Sequence, residues 1–470
     1  MTSQRTIVVG GGLAGLSAAN TLLERGKFVL LLDKKPSLGG NSVKASSGIN
    51  GAETEAQREL KIDDTYISSS YADTFASAGP DLARPALITA LTSNSAAAIA
   101  WLTDSFGVDL SVVSRLGGHT IPRTHRDKSG APGWAITSAL MKKLMALADA
   151  AAAETAGESP RVEIIKSARV VRLLEEGGAV VGVEYELSGG VGDIVSARGN
   201  VILATGGYAA DSSPAGLLAQ HRPELLALST TNGDHATGDG LRLATAVSAG
   251  TCDLDQVQVH PTGFVDPTNP DAKTKFLAAE ALRGAGGLLL DAHGKRFVRE
   301  VERRDVVTAA MQKAEGPVRL VLGAKAAAEV KKHCDFYVSK GLMKQYADAA
   351  AFAEDVGIPV ETILDTFAGY GAVGDPFASS GSGNDTIAPA PYTSTGSLHV
   401  AIITPVVHYT MGGLTVDASA RVLSSNPNQL PIPGLYAAGE VIGGVHGRNR
   451  LAGSSLLEAV VFGRIAGGEV

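Results

Sequence analysis

Short apolar runs that end in glycine recur along the chain, and they predict the strands of a nucleotide-binding fold. The first run, at residues 6–9, is β-branched and stops at Gly-Gly-Gly-Leu-Ala-Gly, residues 10–15. Apolar positions with helical spacing follow over residues 16–25, and a second strand pattern at residues 28–32 ends at Asp33. This order predicts a βαβ unit of a parallel sheet.

The glycines of this unit stand where a dinucleotide approaches the backbone. Gly10 is placed to make the tight turn, Gly12 to let a pyrophosphate approach, and Gly15 to let helix and strand pack closely. Asp33 follows about twenty residues later, where a carboxylate accepts both hydroxyl hydrogens of a ribose. The motif alone does not separate FAD from NAD. A second glycine turn, Gly-Gly-Asn-Ser at residues 39–42, is suited to the far end of a longer cofactor and favours FAD.

Two further apolar runs break into glycine far along the chain, at residues 201–207 and 434–440. Together with the N-terminal unit, they predict one nucleotide-binding domain assembled from both ends of the chain. The stretch between them carries several helical patterns and is interpreted as an inserted domain. Residues 379–397 are rich in Ser, Thr, Gly and Pro, which is typical of its returning linker.

Composition agrees with a large folded protein. The chain has 470 residues, of which 44% are hydrophobic and 19% charged, enough to bury a substantial core. We predict an α/β fold: a Rossmann-like domain with a parallel sheet over residues 1–264 and 399–470, interrupted by an α+β capping domain over residues 265–398.

Charge and cysteine content exclude several classes of function. The net charge of −7 argues against nucleic acid or an anionic membrane surface as the main partner. Cys252 and Cys334 are too few for a disulfide framework, a Cys-based zinc site, an iron–sulfur cluster or a c-type haem. No apolar run free of turn formers is long enough for a membrane span, and the first strand pattern leaves little room for a cleavable signal. We expect no metal and no membrane anchor, and a cytoplasmic location, or an organelle such as the mitochondrion if a targeting segment was removed.

Separate segments of the chain carry side chains suited to an anionic ligand. The strand pattern that begins at Val257 is expected to end at His260, because Pro261 cannot continue the ladder. Glu280 and Arg283 are three residues apart, so they share one helical face and could pass a proton. Residues 303–304 are adjacent arginines, one of which can point inward only if other charges compensate it.

The C-terminal region adds His408 and Arg450. An arginine fork binds a carboxylate bidentately and imidazoles donate to its other oxygens, so His260, His408 and Arg450 could hold both ends of a small dicarboxylate. Taken singly, each of these residues is more often a satisfied core group or a surface ion pair. Spacing alone does not bring the segments together.

In combination these motifs resemble the soluble fumarate reductases, a flavoprotein family related to succinate dehydrogenase flavoprotein subunits and L-aspartate oxidases. The likeness covers nearly the whole chain and is greatest to the single-chain fungal and protist type, which has no fused haem domain. It rests on Val-Val-Gly-Gly-Gly-Leu-Ala-Gly at 8–15, Gly-Gly-Asn-Ser at 39–42, Gln-Val-His-Pro-Thr at 258–262, Ala-Glu-Ala-Leu-Arg-Gly at 279–284, Arg-Arg-Asp at 303–305, His-Tyr-Thr-Met-Gly-Gly at 408–413 and His-Gly-Arg-Asn-Arg-Leu-Ala-Gly at 446–453.

The resemblance implies that reduced FAD passes a hydride from its N5 to one alkene carbon of fumarate while Arg304 protonates the other, giving succinate. Glu280 and Arg283 would relay the proton from solvent. It implies that the substrate contacts His260, His408, Arg450, Gly48 and Gly453. It implies that FAD contacts Gly10, Gly12, Ala14, Gly15, Asp33, Asn41, Ser42, Gly48, Val170, Asp239, Glu440, Ser455, Leu456 and Leu457. Because haem and iron–sulfur ligands are lacking, the electron donor would be diffusible, either a reduced flavin or a partner reductase.

The chain departs from the family pattern at a few positions. Residues 41–42, Asn-Ser, stand where membrane-complex relatives carry the histidine that bonds covalently to FAD, which implies noncovalent FAD. Ala279 replaces a threonine of some members, and Arg448 stands where alanine is common, so substrate preference is open there. The cation-rich segment 117–126 lies either near the flavin or in a surface loop.

Other functions remain open at the level of the sequence. A related flavoenzyme would act on L-aspartate, urocanate or a ketosteroid, although a ketosteroid calls for an apolar cleft with tyrosine acids rather than these histidines and arginines. A flavin-binding module without turnover is the alternative from another class.

Overall fold

The computed structural model describes residues 5–128, 131–154, 161–187, 193–370, 375–377 and 392–470. Most of the predicted linker at 379–397, residues 379–391, lies outside the described residues. The strands are β1 (Thr6–Val9), β2 (Val29–Asp33), β3 (Ile49–Asn50), β4 (Val112–Ser114), β5 (Thr124–Arg126), β6 (Val162–Lys166), β7 (Ala168–Glu176), β8 (Ala179–Leu187), β9 (Ile194–Arg198), β10 (Val201–Leu203), β11 (Thr251–Cys252), β12 (Val257–Phe264), β13 (Leu288–Leu290), β14 (Val318–Gly323), β15 (Lys344–Tyr346), β16 (Leu398–Thr410), β17 (Gly413–Leu414), β18 (Arg421–Leu423) and β19 (Pro431–Ala437). The α-helices are α1 (Leu13–Glu24), α2 (Glu55–Glu59), α3 (Ala72–Ala78), α4 (Pro85–Ser93), α5 (Ser95–Phe106), α6 (Pro132–Glu154), α7 (Leu217–His221), α8 (Asp239–Thr245), α9 (Glu280–Gly284), α10 (Arg304–Met311), α11 (Ala324–Glu329), α12 (Lys331–Ser339), α13 (Ala349–Val356), α14 (Val360–Gly369) and α15 (Ser454–Glu469).

The main sheet has the strand order β18-β19-β10-β1-β2-β6, and every neighbouring pair is parallel except β18 with β19. Its central strand is β1, where Ile7 pairs with Val201 on one side and Leu30 on the other. All four β1 residues are buried, as expected for a parallel strand covered on both faces. Because β19 comes from the C-terminal part of the chain, the sheet is assembled from both ends. The predicted α/β class with a parallel sheet is confirmed.

A second, antiparallel sheet has the order β12-β16-β14-β13, with β15 also paired to β16. Its side chains alternate between two apolar clusters. On β13, Leu288 and Leu290 pack with the residues of α13 and α14, while Leu289 packs with those of α9 to α12. This sheet with its helices is the α+β unit that interrupts the Rossmann-like domain. Strand β12 ends at the predicted boundary at 264, and β16 begins at 398, the last residue of the predicted capping domain, so two strands of this sheet lie almost wholly outside the predicted bounds of that domain. The boundaries themselves stay a prediction.

Strand β12 continues past Pro261 to Phe264, so the prediction that it ends at His260 was wrong. Proline removes one ladder donor, and the pairing with β16 shifts register between His260 and Gly263. The irregularity lets the strand run on although Pro261 has no N–H to donate to the ladder. His260 is therefore held inside a strand rather than at its end.

One apolar stretch among the described residues, Pro85–Phe106, has the length and hydropathy of a membrane span. It consists of α4 and α5, and 56% of its window is buried inside the protein. Both helices contact α15. The expected lack of a membrane anchor stays a prediction.

Candidate functional site

A cavity of about 680 Å³ runs from the glycine loop after β1 to the cationic segments. Its lining includes Gly10 and Gly12 at one end and Arg304, His408 and Arg450 at the other. The volume lies in the range of ligand pockets. Residues that the sequence separates by more than four hundred positions therefore line one space.

Most of the predicted cofactor residues line this cavity. They are Gly10, Gly12, Ala14, Asp33, Asn41, Ser42, Gly48, Val170, Asp239, Glu440, Ser455 and Leu456, and Gly453 of the predicted substrate set joins them. Gly15 and Leu457 lie behind the lining. A Cβ atom on Gly15 would overlap the Gly10 carbonyl oxygen, so Gly15 serves the close packing of α1 on the loop, whereas the Leu457 side chain is buried in the apolar core.

The glycine loop leaves open space at one position. Gly10 has φ +106°, a conformation that glycine adopts readily, and it turns the chain from β1 into the loop. At Gly12, a Cβ atom would have Ser42 Oγ as its nearest neighbour, 4.0 Å away. The Asp33 carboxylate anchors the loop, because Oδ2 accepts the Gly11 N–H at 2.7 Å and Oδ1 accepts the Lys35 N–H at 2.7 Å. A ligand can therefore approach the backbone at Gly12 beside a fixed carboxylate.

Two cavity-lining hydroxyls, Ser46 Oγ and Thr205 Oγ1, are buried and lack a hydrogen-bond partner among the described residues. Buried polar atoms are normally paired, so these two are suited to a polar ligand. The first turn of the sixteen-residue helix α15 also lines the cavity through Ser455 and Leu456. Its exposed N–H groups favour an anionic group such as a pyrophosphate. The residues present thus fit FAD. Sequence reasoning assigned no role to Ser46, which follows the glycine turn at 39–42, or to Thr205, which lies within the apolar run at 201–207.

Two acids of the predicted cofactor set differ in their surroundings. Burial alone would raise the pKa of Asp239, but hydrogen bonds from Lys34 Nζ at 2.9 Å and Thr237 Oγ1 at 2.7 Å bring it below its ordinary value. Burial raises the pKa of Glu440 to about 7, although Oε1 accepts the Thr410 N–H at 3.0 Å. Asp239 is therefore held as an anion, and Glu440 titrates near neutral pH.

Arg304 and Glu280 form a buried ion pair at the other end of the cavity. Nε and Nη2 of Arg304 each lie 2.8 Å from Glu280 Oε2, and the Gly117 amide donates to Oε1 at 3.1 Å. Burial alone would raise the pKa of Glu280, but Arg304, His260 and Arg283 hold it well below its ordinary value. The carboxylate therefore stays ionised. Arg304 is 4% exposed and is the first residue of α10.

Gln258 joins the two arginines that line the cavity. Its Oε1 atom accepts from Arg304 Nη1 at 2.8 Å and from Arg450 Nη2 at 3.0 Å. Its amide donates to Asn449 Oδ1 at 2.9 Å and to the Arg450 carbonyl at 2.8 Å. This residue was part of a quoted motif, yet sequence reasoning gave it no role.

His260 and His408 pack edge to face, with ring centroids 5.1 Å apart. The Thr262 N–H donates to Nδ1 of His260 at 3.2 Å, so the neutral ring carries its proton on Nε2, which lies 3.8 Å from Glu280 Oε2. Burial lowers the pKa of His260 to about 3 and that of His408 well below its ordinary value. Both rings are neutral at physiological pH. His408 lines the cavity, whereas His260 and Glu280 lie behind it.

Arg283 stands beside Glu280 and is also buried. Its Nη2 lies 3.8 Å from Glu280 Oε2, and Nη1 donates to the Glu300 carbonyl oxygen. Only 2% of Arg283 is exposed, and burial lowers its pKa. The predicted relay partner is therefore in place, but its guanidinium does not reach the surface.

The structure answers two questions that the sequence left open. Arg448 donates to Asp81 at the surface, where 60% of its side chain is exposed, so it points away from the cavity. Segment 117–126 is only partly exposed: Gly118 and Thr120 face solvent, but Arg123 is 1% exposed, His125 is fully buried, and the Gly117 amide donates to Glu280.

Comparisons with known proteins identify the family of the chain. The FAD binding domain family model matches residues 5–456. The chain is 46% identical over 466 residues to the fumarate reductase of Schizosaccharomyces pombe, covering 98% of this chain and 88% of that protein. It is 41% identical to fumarate reductase 1 of Saccharomyces cerevisiae, covering 99% and 98%. Among solved structures, the open conformation of a flavocytochrome c3 fumarate reductase matches with a TM-score of 0.76 at 30% identity, covering 99% of this chain and 77% of that one. The chain therefore belongs to the fumarate reductase family of FAD-dependent oxidoreductases.

Proposed function

We propose that this protein reduces fumarate to succinate, with FAD held noncovalently between the glycine loop and α15. One observation carries the proposal: a single cavity joins the FAD-binding loop to Arg304 and Arg450, with the Glu280 carboxylate directly behind Arg304. Noncovalent binding is supported by Asn41, which has no nucleophilic side chain and donates to Asn232 Oδ1 at 2.6 Å. When bound and reduced, FAD supplies the hydride.

The charge of the site favours a dicarboxylate. Arg283, Arg304 and Arg450 are buried together, and among the described residues Glu280 is the carboxylate within 4 Å of any of them. Burial lowers the pKa of Arg450 to about 10, which still leaves it cationic at neutral pH. A doubly anionic ligand would compensate the excess positive charge, and Arg450 offers it a planar guanidinium.

Arg304 is the proton donor in this proposal. Its Nε–H donates to Glu280 and one Nη1 hydrogen donates to Gln258, while Nη2 lies 2.8 Å from Glu280 Oε2 as part of the ion pair. One hydrogen on Nη1 and at least one on Nη2 therefore remain for a ligand in the cavity. Hydride addition beside a carboxylate builds negative charge on the substrate, and fixed cations in a water-poor site stabilise it. A guanidinium ordinarily keeps its proton, and Glu280 is ionised at rest. Glu280 must therefore take a proton from Arg283 as it passes one to Arg304, and Arg283 must recover its own proton from solvent.

His408 donates to a substrate carboxylate in this arrangement. Its Nδ1 lies 2.7 Å from Thr231 Oγ1. If the threonine hydroxyl donates to Nδ1, the neutral ring carries its remaining proton on Nε2, which is then free to bind an anion. In this proposal Thr231 sets the tautomer of His408, and nothing in the sequence pattern indicated that role.

The remaining sequence predictions complete the proposal. The electron donor is a diffusible reduced flavin or a reductase, and the protein acts in the cytoplasm unless a targeting segment directs it elsewhere. Residues 265–398 form the cap that closes over the substrate.

The test compares two adjacent arginines. Arg304 is buried in the site, whereas Arg303 is 42% exposed and pairs with Asp305. We expect Arg304→Ala to retain FAD and succinate binding but to lose fumarate turnover by about 10²- to 10⁴-fold, the usual contribution of a general acid. Arg303→Ala should stay within about two-fold of the wild type.

The assay is anaerobic reoxidation of the reduced flavin by fumarate, followed by its absorbance. Equal turnover in the two variants would contradict the role of Arg304. A wild-type protein that fumarate does not reoxidise would reject the activity itself. Hydrogen peroxide formed with aspartate, or consumption of urocanate, would then identify the alternative enzymes, and no turnover with any acid would support a flavin-binding module.

A further inference from the structure

Behind Arg450 lies a buried group of ionisable side chains that the proposed mechanism does not use. Tyr409 donates its hydroxyl hydrogen to Glu458 Oε2, and His446 Nε2 lies 3.3 Å from the same oxygen. The exposed fractions are 3% for Tyr409, 1% for Glu458 and 2% for His446. We call these three residues the Tyr409 triad.

Glu458 is a buried acidic residue in an apolar part of the protein, which packing alone does not explain. It stands in α15 among the apolar residues 456–462, and Oε1 has no hydrogen-bond partner among the described residues. A buried carboxylate is costly unless it is paired, and an apolar residue at this position would pack the helix without that cost. Its presence therefore calls for an explanation other than stability.

The triad reaches the substrate end of the cavity through the ring of Tyr409. The Arg450 guanidinium carbon lies 4.3 Å from the centroid of that ring, and both residues line the cavity. Hydrogen bonds from Arg450 go only to neutral acceptors, Leu451 O at 3.2 Å and Gln258 Oε1 at 3.0 Å, and its Nε has no partner within the described part of the chain. The face of the Tyr409 ring therefore holds the Arg450 guanidinium through a cation–π contact.

The hydrogen bond from Tyr409 to Glu458 favours this cation–π contact in two ways. A phenol that donates to a carboxylate has a more electron-rich ring, which attracts a cation more strongly. The same bond also keeps the Glu458 carboxylate on the hydroxyl, so that it does not pair with Arg450 and neutralise it. Burial beside Glu458 and Glu440 raises the pKa of Tyr409 well above its ordinary value, so the phenol keeps the proton that it donates.

We propose that Tyr409, held by Glu458 and His446, is a positioning residue that fixes the Arg450 guanidinium for one of the two carboxylates of the substrate. The triad would thereby set the preference of the site for dicarboxylates over monocarboxylates. This inference rests on the proposed function, because it assumes that Arg450 binds a substrate carboxylate.

The experiment uses the FAD-bound protein and the variant Tyr409→Phe, which keeps the ring and removes the hydroxyl. Its matched control is Tyr392→Phe. The Tyr392 hydroxyl likewise donates to buried acceptors, the carbonyl oxygens of Gly286 at 2.7 Å and Val321 at 2.9 Å, but Tyr392 lies outside the cavity lining. Succinate and butyrate, which differ by one carboxylate, are titrated while the flavin absorbance is recorded. The KM and kcat for fumarate are measured in parallel.

We expect Tyr409→Phe to raise the succinate Kd and the fumarate KM about ten-fold, with kcat and FAD content within about two-fold of the wild type. Butyrate binding should not change, because butyrate lacks the carboxylate that Arg450 would hold. Glu458→Gln, which keeps an acceptor for the hydroxyl but removes the charge, should give a smaller increase of the same kind and serves if Tyr409→Phe does not fold.

The inference is overturned if Tyr409→Phe and Tyr392→Phe have the same succinate Kd, or if succinate and butyrate weaken equally. A role confined to folding would lower FAD content and kcat together with affinity, which also overturns it. A wild-type protein that binds no succinate and reduces no fumarate would instead reject the proposed function.

Discussion

The negative charge of Glu280 has two opposite effects in the proposed reaction: it repels the anionic substrate, and it supports turnover. The substitution Glu280→Gln separates these effects. In the structure this carboxylate accepts a hydrogen bond from Arg304 Nε at 2.8 Å, lies 2.8 Å from Arg304 Nη2 and lies 3.8 Å from Arg283 Nη2. The substitution keeps the size of the side chain and removes its charge. It therefore leaves the arginines with one more uncompensated positive charge and takes away the group that returns a proton to Arg304.

The expected magnitudes follow from these distances. A substrate carboxylate on the cavity side of the Arg304 guanidinium would lie roughly 6 Å from Glu280, where two like charges repel by about 3 kcal/mol at an effective dielectric constant of about 20. Removing that repulsion should lower the succinate Kd by up to about 100-fold. Loss of the carboxylate that relays the proton to Arg304 should lower kcat by about 10²- to 10⁴-fold. Breaking a buried ion pair should also destabilise the fold by about 3–5 kcal/mol.

Succinate binding is measured by flavin absorbance and turnover by fumarate-dependent reoxidation, both well below the melting temperature of the variant. The control is Glu302→Gln, because Glu302 pairs with Arg299 and its side chain is 37% exposed. The control should resemble the wild type in both assays. Weaker succinate binding in Glu280→Gln, or unchanged turnover, would refute the reasoning that this residue both opposes the anion and supplies the proton.

Three further expectations concern other parts of the protein. Asp33→Asn should raise the FAD Kd about 10- to 100-fold, because a charge-assisted hydrogen bond to the ribose is lost; flavin fluorescence on dilution measures it, and unchanged occupancy would reject the ribose contact. Burial raises the pKa of Glu440 from 4.5 to about 7, so the native state favours the neutral acid. The free energy of unfolding should therefore fall by roughly 3 kcal/mol as the pH rises from about 4.5 to 7, and it should stay at the lower value above pH 7. In protein stripped of FAD, Glu440→Gln should therefore melt higher than wild type at pH 8 and at a similar temperature at pH 5, and equal melting at both pH values would contradict this. Arg448→Ala should leave the fumarate KM within about two-fold, since Arg448 binds Asp81 at the surface; a larger change would mean that it reaches the site.

The sequence predicts the parallel sheet well because its signals are local. The first βαβ unit is encoded within residues 6–33, and the structure differs mainly in starting α1 at Leu13, three residues before the predicted start. The glycine loop feeds directly into the helix, since the Leu16 N–H already binds the Gly12 carbonyl at 2.9 Å. The end of β12 was missed for the opposite reason. Whether a strand continues past Pro261 depends on how β16 pairs with it, and a single strand does not contain that information.

The site was predicted only as a set of residue types. His408 and Arg450 carry recognisable chemistry, so their motifs drew attention, whereas Gln258 and Thr231 are common side chains whose role arises from their neighbours. Glu458 did offer a signal that was not used, a lone carboxylate in an apolar helical run. The direction of each side chain also lies beyond the sequence, as the adjacent arginines 303 and 304 demonstrate, one exposed and one buried.

The acids around the cavity are arranged so that Arg450 keeps its charge available. Glu458 is bound by the hydroxyl of Tyr409, and Glu440 accepts the amide and hydroxyl of Thr410, so both carboxyl groups are occupied by neutral donors. Neither lies within 4 Å of the guanidinium, although each is close enough to raise the pKa that burial lowers. A site built for stability would pair these acids with the arginine directly, because a buried unpaired cation is costly. Because Glu440 and Glu458 are bound by neutral donors and are not paired with Arg450, the guanidinium is stabilised enough to remain charged. It is also free to bind a carboxylate of the substrate.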